Sequence, residues 1–332
     1  MVSIVYGPVP SWRLGRSLGV DVTLPPKACT FNCVYCQLGK TVRRLSSPKE
    51  FNSTIRVEEL IRQLEHKMES IGLASIDFIT FSGTGEPTLN PDLGNMISAV
   101  KRFVPSKPVA VLTNSSLLYL DEVRSVLSNA DLVSFKLDAA DQWTFEEINR
   151  PVENVPNIGE IIDSIMKFKV GYQGVLALQI MLVDSFRPNF RVNFSEEALS
   201  YLIESVAEIQ PDQIQLNTPT RPVMEKHIKP VNSTTLSIVE ERIRKASPNS
   251  DIIRVDKEKI VLKSISREKR PLEELREEIL ALLRRRPCRA VDISISLGVE
   301  QREIEAILKS MVNEGVISEA RGERGIYYIF SG

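Results

Sequence analysis

Residues 57–81 read VEELIRQLEHKMESIGLASIDFITF, and this stretch decides the fold. Its first fifteen residues place Val57, Leu60, Ile61, Leu64, Met68 and Ile71 on one face of a 3.6-period helix, with charged residues opposite. The run IDFITF (76–81) is short, apolar and rich in β-branched and aromatic residues, which marks a strand. Working outward, the same kind of strand recurs as SLGVDVTL (17–24), VAVLT (109–113), LVSFKLD (132–138), VLALQIMLV (175–183) and DQIQLN (212–217), with helical patterns between. Strands separated by helices of this length imply parallel crossovers. Six such units are fewer than the eight of a complete barrel, so the expected fold is α/β, an open partial (β/α)6 TIM-like barrel. A flat doubly wound sheet is the alternative. Either fold gathers functional groups in the loops after the strands. The segment DIIRVDKEKIVLKS (251–264) reads as a hairpin about Asp256–Glu258 that closes a domain spanning 1–265.

The period then changes. Ser266 to Pro271 reads as a charged linker, and residues 266–332 as a second domain. Leu272–Arg286 and Ala290–Leu297 read as two helices, and Gly298 as a turn. Glu300–Glu314 reads as a third helix with Ile304, Ile307, Leu308, Met311 and Val312 inward. After Gly315, VISEARGERGIYYIF (316–330) reads as a hairpin turning near Arg321–Arg324. This is the order of a winged helix-turn-helix. The domain carries twelve Lys and Arg against twelve Asp and Glu. Its third helix sets Arg302 and Lys309 against Glu300, Glu303, Glu305 and Glu314, a balance that phosphates would repel. Positive charge gathers instead at Arg284, Arg285, Arg286, Arg289, Arg321 and Arg324. The module is thus expected to dock protein, or nucleic-acid backbone through the wing, rather than to read bases.

Composition is that of a globular protein, with 42% hydrophobic and 26% charged residues over 332 positions. The net charge of −1 gives no global argument for nucleic acid or an anionic membrane as partner. MVSIVYGPVPSWRLGRS lacks the basic start and apolar run of a signal peptide, and no run approaches the ~18 apolar residues of a membrane span. A cytoplasmic protein with no membrane partner is expected. Four cysteines, three of them clustered, do not form a disulfide framework; they suit a reducing compartment where thiolates hold metal.

Those three, Cys29, Cys33 and Cys36 in CTFNCVYC (29–36), follow the first strand of this pattern. Closed zinc sites and fully ligated clusters want four ligands. Cys288 is remote and reads as a small residue packed between helices, while His66 and His227 read as surface residues. Structural zinc would therefore need an unseen fourth ligand. A [4Fe-4S] cluster with one iron left open for a small molecule fits the count. After the second strand comes Ser82-Gly83-Thr84-Gly85-Glu86-Pro87. Its glycines allow close backbone approach, and Glu86 offers an acceptor for an ammonium group. It matches neither the P-loop nor the dinucleotide fingerprint.

Together these segments resemble the radical S-adenosylmethionine (radical SAM) superfamily: CTFNCVYC is similar to its CxxxCxφC loop, with Tyr35 as the aromatic, and SGTGEP to its GGEP segment, with Thr84 in place of a glycine. The resemblance covers about residues 1–260. The flanking YGPVPSWRLGRSLGVD and CQLGKT look most like iron–sulfur oxidoreductases near the wyosine-synthesis enzymes of tRNA. The resemblance implies that Cys29, Cys33 and Cys36 ligate three irons and that the methionyl amine and carboxylate of S-adenosylmethionine chelate the fourth. It implies that the backbone near Tyr35 meets adenine and that Gly83, Thr84, Gly85 and Glu86 hold the amine. Asn114, Ser115, Lys136 and Asp138 are candidates for the ribose and carboxylate. Reductive cleavage would yield a 5′-deoxyadenosyl radical that abstracts hydrogen from an RNA base, a peptide or a small molecule, with a ferredoxin or flavodoxin as electron donor.

Plainer readings stand beside these. Lys136 and Asp138 form an ion pair at a strand end, Asn114-Ser115 is a turn or cap, and Asn149-Arg150-Pro151 is a loop break. Gln179 and Asn217 face either the barrel interior or satisfied backbone, and Arg13 and Arg16 either bind an anion or are solvated. A different functional class, an iron–sulfur redox-sensing regulator with winged-helix output, would explain the second domain but leave SGTGEP and six βα units without purpose.

Overall fold

The structure is a computed structural model describing residues 3–257 and 270–331. Eight strands form one sheet in chain order: β1 (Val5–Ser11), β2 (Gly15–Val20), β3 (Phe78–Phe81), β4 (Val109–Thr113), β5 (Leu132–Lys136), β6 (Val175–Met181), β7 (Gln213–Asn217) and β8 (Asp251–Arg254). β1 and β2 pair antiparallel, and every later pair is parallel. The crossovers are made by α1 (Val57–Ile71), α2 (Leu93–Phe103), α3 (Asp121–Leu127), α4 (Gln142–Asn149), α5 (Ile158–Lys169), α6 (Glu196–Ile209) and α7 (Ser233–Ala246). A strand order that never reverses has no topological switch point, which sets aside the doubly wound alternative. The sheet is a curled half-barrel with β1 and β8 as its edges.

Alternation along each strand explains the two faces. Leu18, Ile79, Phe81, Val111, Val133, Phe135, Leu178 and Leu216 are buried in the main core with Leu60, Leu64 and Ile71 of α1. Each such side chain contributes about 1.5–3 kcal/mol on burial. On the inner face, Leu14, Ala110, Leu132 and Ala177 make an apolar cluster. Inner-face residues elsewhere are polar. Ser17 Oγ donates to Thr80 Oγ1 at 2.7 Å, and both Ser134 Oγ (3.0 Å) and Arg13 Nη1 (3.3 Å) donate to Gln215 Oε1.

The six expected strands are present, with differences at their ends. β2 stops at Val20 because the Asp21 carboxylate accepts from the Thr23 and Leu24 N–H groups, both at 3.2 Å, and turns the chain. The segment read as a hairpin about Asp256–Glu258 is described only in its first arm. β8 lies parallel to β7, with Gln213 opposite Asp251, and Ile252 packs against the main core. Residues 258–264 of that reading, and 266–269 of the linker, lie outside the described residues. β1 carries Pro8 and Pro10, which an edge strand tolerates.

The C-terminal segment comprises α8 (Leu272–Leu283), α9 (Ala290–Leu297), α10 (Gln301–Asn313) and a hairpin of β9 (Ile317–Gly322) and β10 (Gly325–Phe330). Ile304, Ile307, Leu308 and Met311 are buried and Val312 partly so, in a core that includes Tyr6 and Val9 of β1. Arg285 Nε meets Asp21 Oδ2 at 3.0 Å with side chains 2% and 0% exposed, and the guanidinium lies over the Tyr6 ring. On the far side, Tyr327 Oη donates to the Thr220 carbonyl at 3.0 Å and Arg324 Nη2 to the Val255 carbonyl at 2.8 Å. These last two contacts fall after β7 and β8. The segment thus bridges the two edges of the half-barrel. Cys288 is buried in its core and exchanges backbone hydrogen bonds with Tyr328. Among the described residues, no helix is long and apolar enough to cross a membrane.

Candidate active site

The cysteine loop leaves β2 and is held on both sides. Residues Ala28–Cys29 pair with Arg43–Arg44. Beyond them, Asn32 N–H donates to the Asn149 carbonyl at 3.1 Å and Val34 N–H to the Ile148 carbonyl at 2.9 Å. Each thiol has a donor aimed at it. Phe31 N–H (3.4 Å) and Asn114 Nδ2 (3.5 Å) face Cys29 Sγ, Asn149 Nδ2 (3.5 Å) faces Cys33 Sγ, and Lys27 Nζ (3.0 Å) faces Cys36 Sγ. Burial pushes the Cys29 thiol up to about 12 and the Cys33 thiol up to about 11. Thiolates here need a strong cation to form, and the N–H donors suit them once formed. Among the described residues no three His, Cys, Asp or Glu side chains meet as one metal ion would require. Around a cluster each thiolate takes a different iron, so convergence on a point is not needed.

The Ser82–Pro87 turn is joined directly to this loop. Glu86 N–H donates to the Ala28 carbonyl at 3.0 Å, and a Cβ on Gly85 would lie 1.9 Å from that oxygen. A Cβ on Gly83 would lie 2.1 Å from Asp21 Cγ. Both glycines are therefore fixed by packing against the protein itself. Gly85→Ala is expected to push the turn off the cysteine loop, costing about 1–3 kcal/mol as other overpacked sites do; chemical denaturation measures it, and an unchanged midpoint refutes it.

Glu86 is buried, and burial raises its carboxyl pKa against the hydrogen bonds that lower it. Oε1 accepts from Thr88 N–H (3.1 Å), Thr88 Oγ1 (2.7 Å) and Thr113 Oγ1 (2.6 Å), and Oε2 from Asn114 N–H (2.7 Å). Its carboxylate ties the ends of β3 and β4 together, which the sequence reading did not foresee.

A cavity of about 170 Å³ is lined by Cys29, Cys33, Cys36, Gly85, Glu86 and Asn114, along with Tyr35, Lys136 and Gln179. A larger one of about 310 Å³ shares Tyr35, Cys36, Gly85, Lys136 and Gln179 and adds Gly83, Arg13 and Asn217. Three of the expected residues stand behind these walls. Thr84 Oγ1 donates to Asp21 Oδ2 at 3.1 Å, and Ser115 Oγ to the Lys136 carbonyl at 3.2 Å. Asp138 accepts from Tyr35 Oη, from Asn149 Nδ2 (2.7 Å) and from Met181 N–H (2.9 Å), with Lys136 Nζ 3.7 Å away.

The other candidates separate. Arg16 pairs with Asp77 at 2.8 Å, Arg150 pairs with Glu225 at 2.6 Å, and Pro151 bridges to Phe31. His66 is exposed, and His227 packs edge-on against Phe190. Lys27, Asp21 and Gln215 were not read from sequence. Lys27 alone carried a local signal, as a cation two residues before Cys29.

A half-barrel with a three-cysteine loop and a glycine turn at adjacent strand ends is the architecture of one class of enzyme, and the comparisons agree. The Radical SAM superfamily model matches residues 23–183. Among solved structures, a radical SAM methyltransferase from Sphaerobacter thermophilus is similar in fold, with a TM-score of 0.53 and 16% identity over 72% of this chain and 66% of that one. The chain is 33% identical to the UPF0026 protein MJ1312 of Methanocaldococcus jannaschii over 99% of its own length and 96% of that protein's. It is 32% identical to a UPF0026 protein of Helicobacter pylori, over 89% and 88% of the two lengths. The chain is a radical SAM enzyme and belongs to the UPF0026 family. The superfamily implies a [4Fe-4S] cluster and S-adenosylmethionine.

Proposed function

We propose that Cys29, Cys33 and Cys36 hold the cluster and that the enzyme takes a hydrogen atom from a substrate bound in the larger cavity. The observation that carries this reading is the placement of three thiols, each with its own N–H donor, on one cavity wall with Gly85 and Glu86. When bound, the cluster and S-adenosylmethionine supply an electron and a 5′-deoxyadenosyl radical. The chain's residues bind and orient. Backbone at Gly83 to Gly85 holds the methionyl amine, with Glu86 fixing the turn because its own oxygens are largely taken. Asn114 and Lys136 face the ribose and carboxylate. Backbone near Tyr35 meets adenine, and Ser115, Thr84 and Asp138 brace the wall from behind. A single-electron donor such as a ferredoxin or flavodoxin completes the system in the cytoplasm.

Residues 266–332 are read as a winged helix-turn-helix domain against a barrel domain of 1–265. Arg302 and Arg321 are exposed, but its other clustered arginines find partners within the fold. Arg285 is buried on Asp21, Arg284 stacks on Phe330, Arg289 pairs with Asp292, and Arg286 and Arg324 line the larger cavity. That distribution supports a cover for the barrel over a reader of nucleic acid. The flanking sequence favours the wyosine branch and an RNA base as substrate; the inward charge favours a small anionic molecule.

Anaerobic reconstitution tests the central reading. A brown protein that forms 5′-deoxyadenosine from S-adenosylmethionine under a strong reductant is expected. A colourless zinc protein, or a cluster protein that never consumes S-adenosylmethionine, overturns it.

A further inference from the structure

Besides that of Arg289, four guanidinium groups reach the larger cavity from four separate segments. Arg13 comes from the β1–β2 turn, Arg221 from the loop after β7, Arg286 from the loop after α8, and Arg324 from the β9–β10 turn. Among the described residues none of the four makes an ion pair, and the one lining carboxylate, Asp292, is held by Arg289 at 2.9 Å. The Nε atoms of Arg13, Arg221 and Arg286 are sealed from solvent with no hydrogen-bond partner among the described residues. Their other hydrogen bonds are to neutral amides and are long, Arg13 Nη1 to Gln215 Oε1 at 3.3 Å and Arg221 Nη1 to Gln37 Oε1 at 3.5 Å, and Arg13 also lies over the Trp12 ring. Burial, then repulsion from neighbouring arginines, lowers Arg13 and Arg221 to about 10, so both still carry charge at neutral pH.

Half-buried cations that outnumber their one carboxylate, Asp292, are costly to a folded chain. Their cost is offset when an anion sits among them. Guanidinium forks suit carboxylate or phosphate, but a carboxylate offers two oxygens in a plane, whereas a phosphoryl group offers oxygens in several directions. Approach from separate segments matches the second. The cavity, about 310 Å³, has the size of a small-molecule site. The C-terminal segment that covers it is fastened to both barrel edges.

We propose that Arg13, Arg221 and Arg286 bind the phosphoryl group of a small phosphorylated substrate, which the C-terminal segment helps enclose by supplying Arg286. This rests on the reading that the substrate lies in the cavity adjoining the cysteines.

Calorimetric titration of the reconstituted full chain, without S-adenosylmethionine, tests it with three probes: inorganic pyrophosphate, ribose 5-phosphate and a short single-stranded RNA lacking terminal phosphates. The two small phosphates should bind, and Arg221→Gln or Arg286→Gln should each weaken them about tenfold or more, as loss of a charge-assisted hydrogen bond does. Arg321→Gln, exposed near the end of β9, should change nothing. Because repulsion is relieved, the Arg221→Gln protein should melt no lower than wild type, yet gain less Tm from pyrophosphate. Small phosphates that fail to bind, that bind equally in the variants, or that are outcompeted by an RNA binding alone, each overturn the proposal. S-adenosylmethionine cleavage by the wild-type chain is measured separately. Its failure beside arginine-dependent phosphate binding condemns the radical reading alone, and the converse condemns the phosphate site alone.

Discussion

Cys36→Ala is expected to abolish both the colour of the reconstituted protein and 5′-deoxyadenosine formation, down to the level of a protein-free blank. Three thiolates are the fewest that can anchor a cluster while leaving one iron free, so the loss of one leaves no partial site. The fold should survive. Cys36 is half-buried and stands outside the apolar cores, and its loop is held by backbone bonds to Ile148 and Asn149. Cys288→Ala is the matched control, keeping colour and turnover, because Cys288 lies in the C-terminal core. Visible absorption, iron content and chromatography of the products decide the matter. Full turnover by the Cys36→Ala protein would refute the ligand assignment.

Arg285→Ala is expected to cost about 3–5 kcal/mol, the range for breaking one half of a buried pair. The reason lies in what is left behind. Asp21 is wholly buried, and with Arg285 gone it keeps hydrogen bonds from Thr23, Leu24 and Thr84 but no positive charge. Out of a total stability of about 5–15 kcal/mol, that loss is large. Urea unfolding of the full chain measures it. Asp21→Asn in the same background should recover part of the loss by removing the stranded charge. A loss below about 1 kcal/mol would mean that water reaches Asp21 and that the pair is no keystone.

Much of the barrel was legible because parallel strands announce themselves twice, by apolar content and by spacing from amphipathic helices. The α1 face from Val57 to Ile71 reads directly onto the core. The two chemical segments were legible for a similar reason, since Cys29 to Cys36 and Gly83 to Glu86 are each contiguous. What resisted reading is what the fold assembles from afar. Nothing local distinguishes Arg13 from Arg16, yet one enters the barrel and the other pairs with Asp77 outside it. Similarly, the basic residues near 284–289 look like a patch in one dimension, but the docking of α8 and α9 on β1 sends them to different partners. The pairing of β8 with β7 was equally hidden, because four residues cannot declare which neighbour they will take.

The contact between Gly85 and the Ala28 carbonyl bears on inheritance. With 1.9 Å between that oxygen and any added carbon, the two segments cannot drift apart separately. A lineage that places a side chain at the turn must reroute the loop that carries its first cysteine in the same step, or lose both. The paired signature should therefore pass between generations as one character, and a descendant that keeps only half of it should be sought among proteins that have abandoned the chemistry.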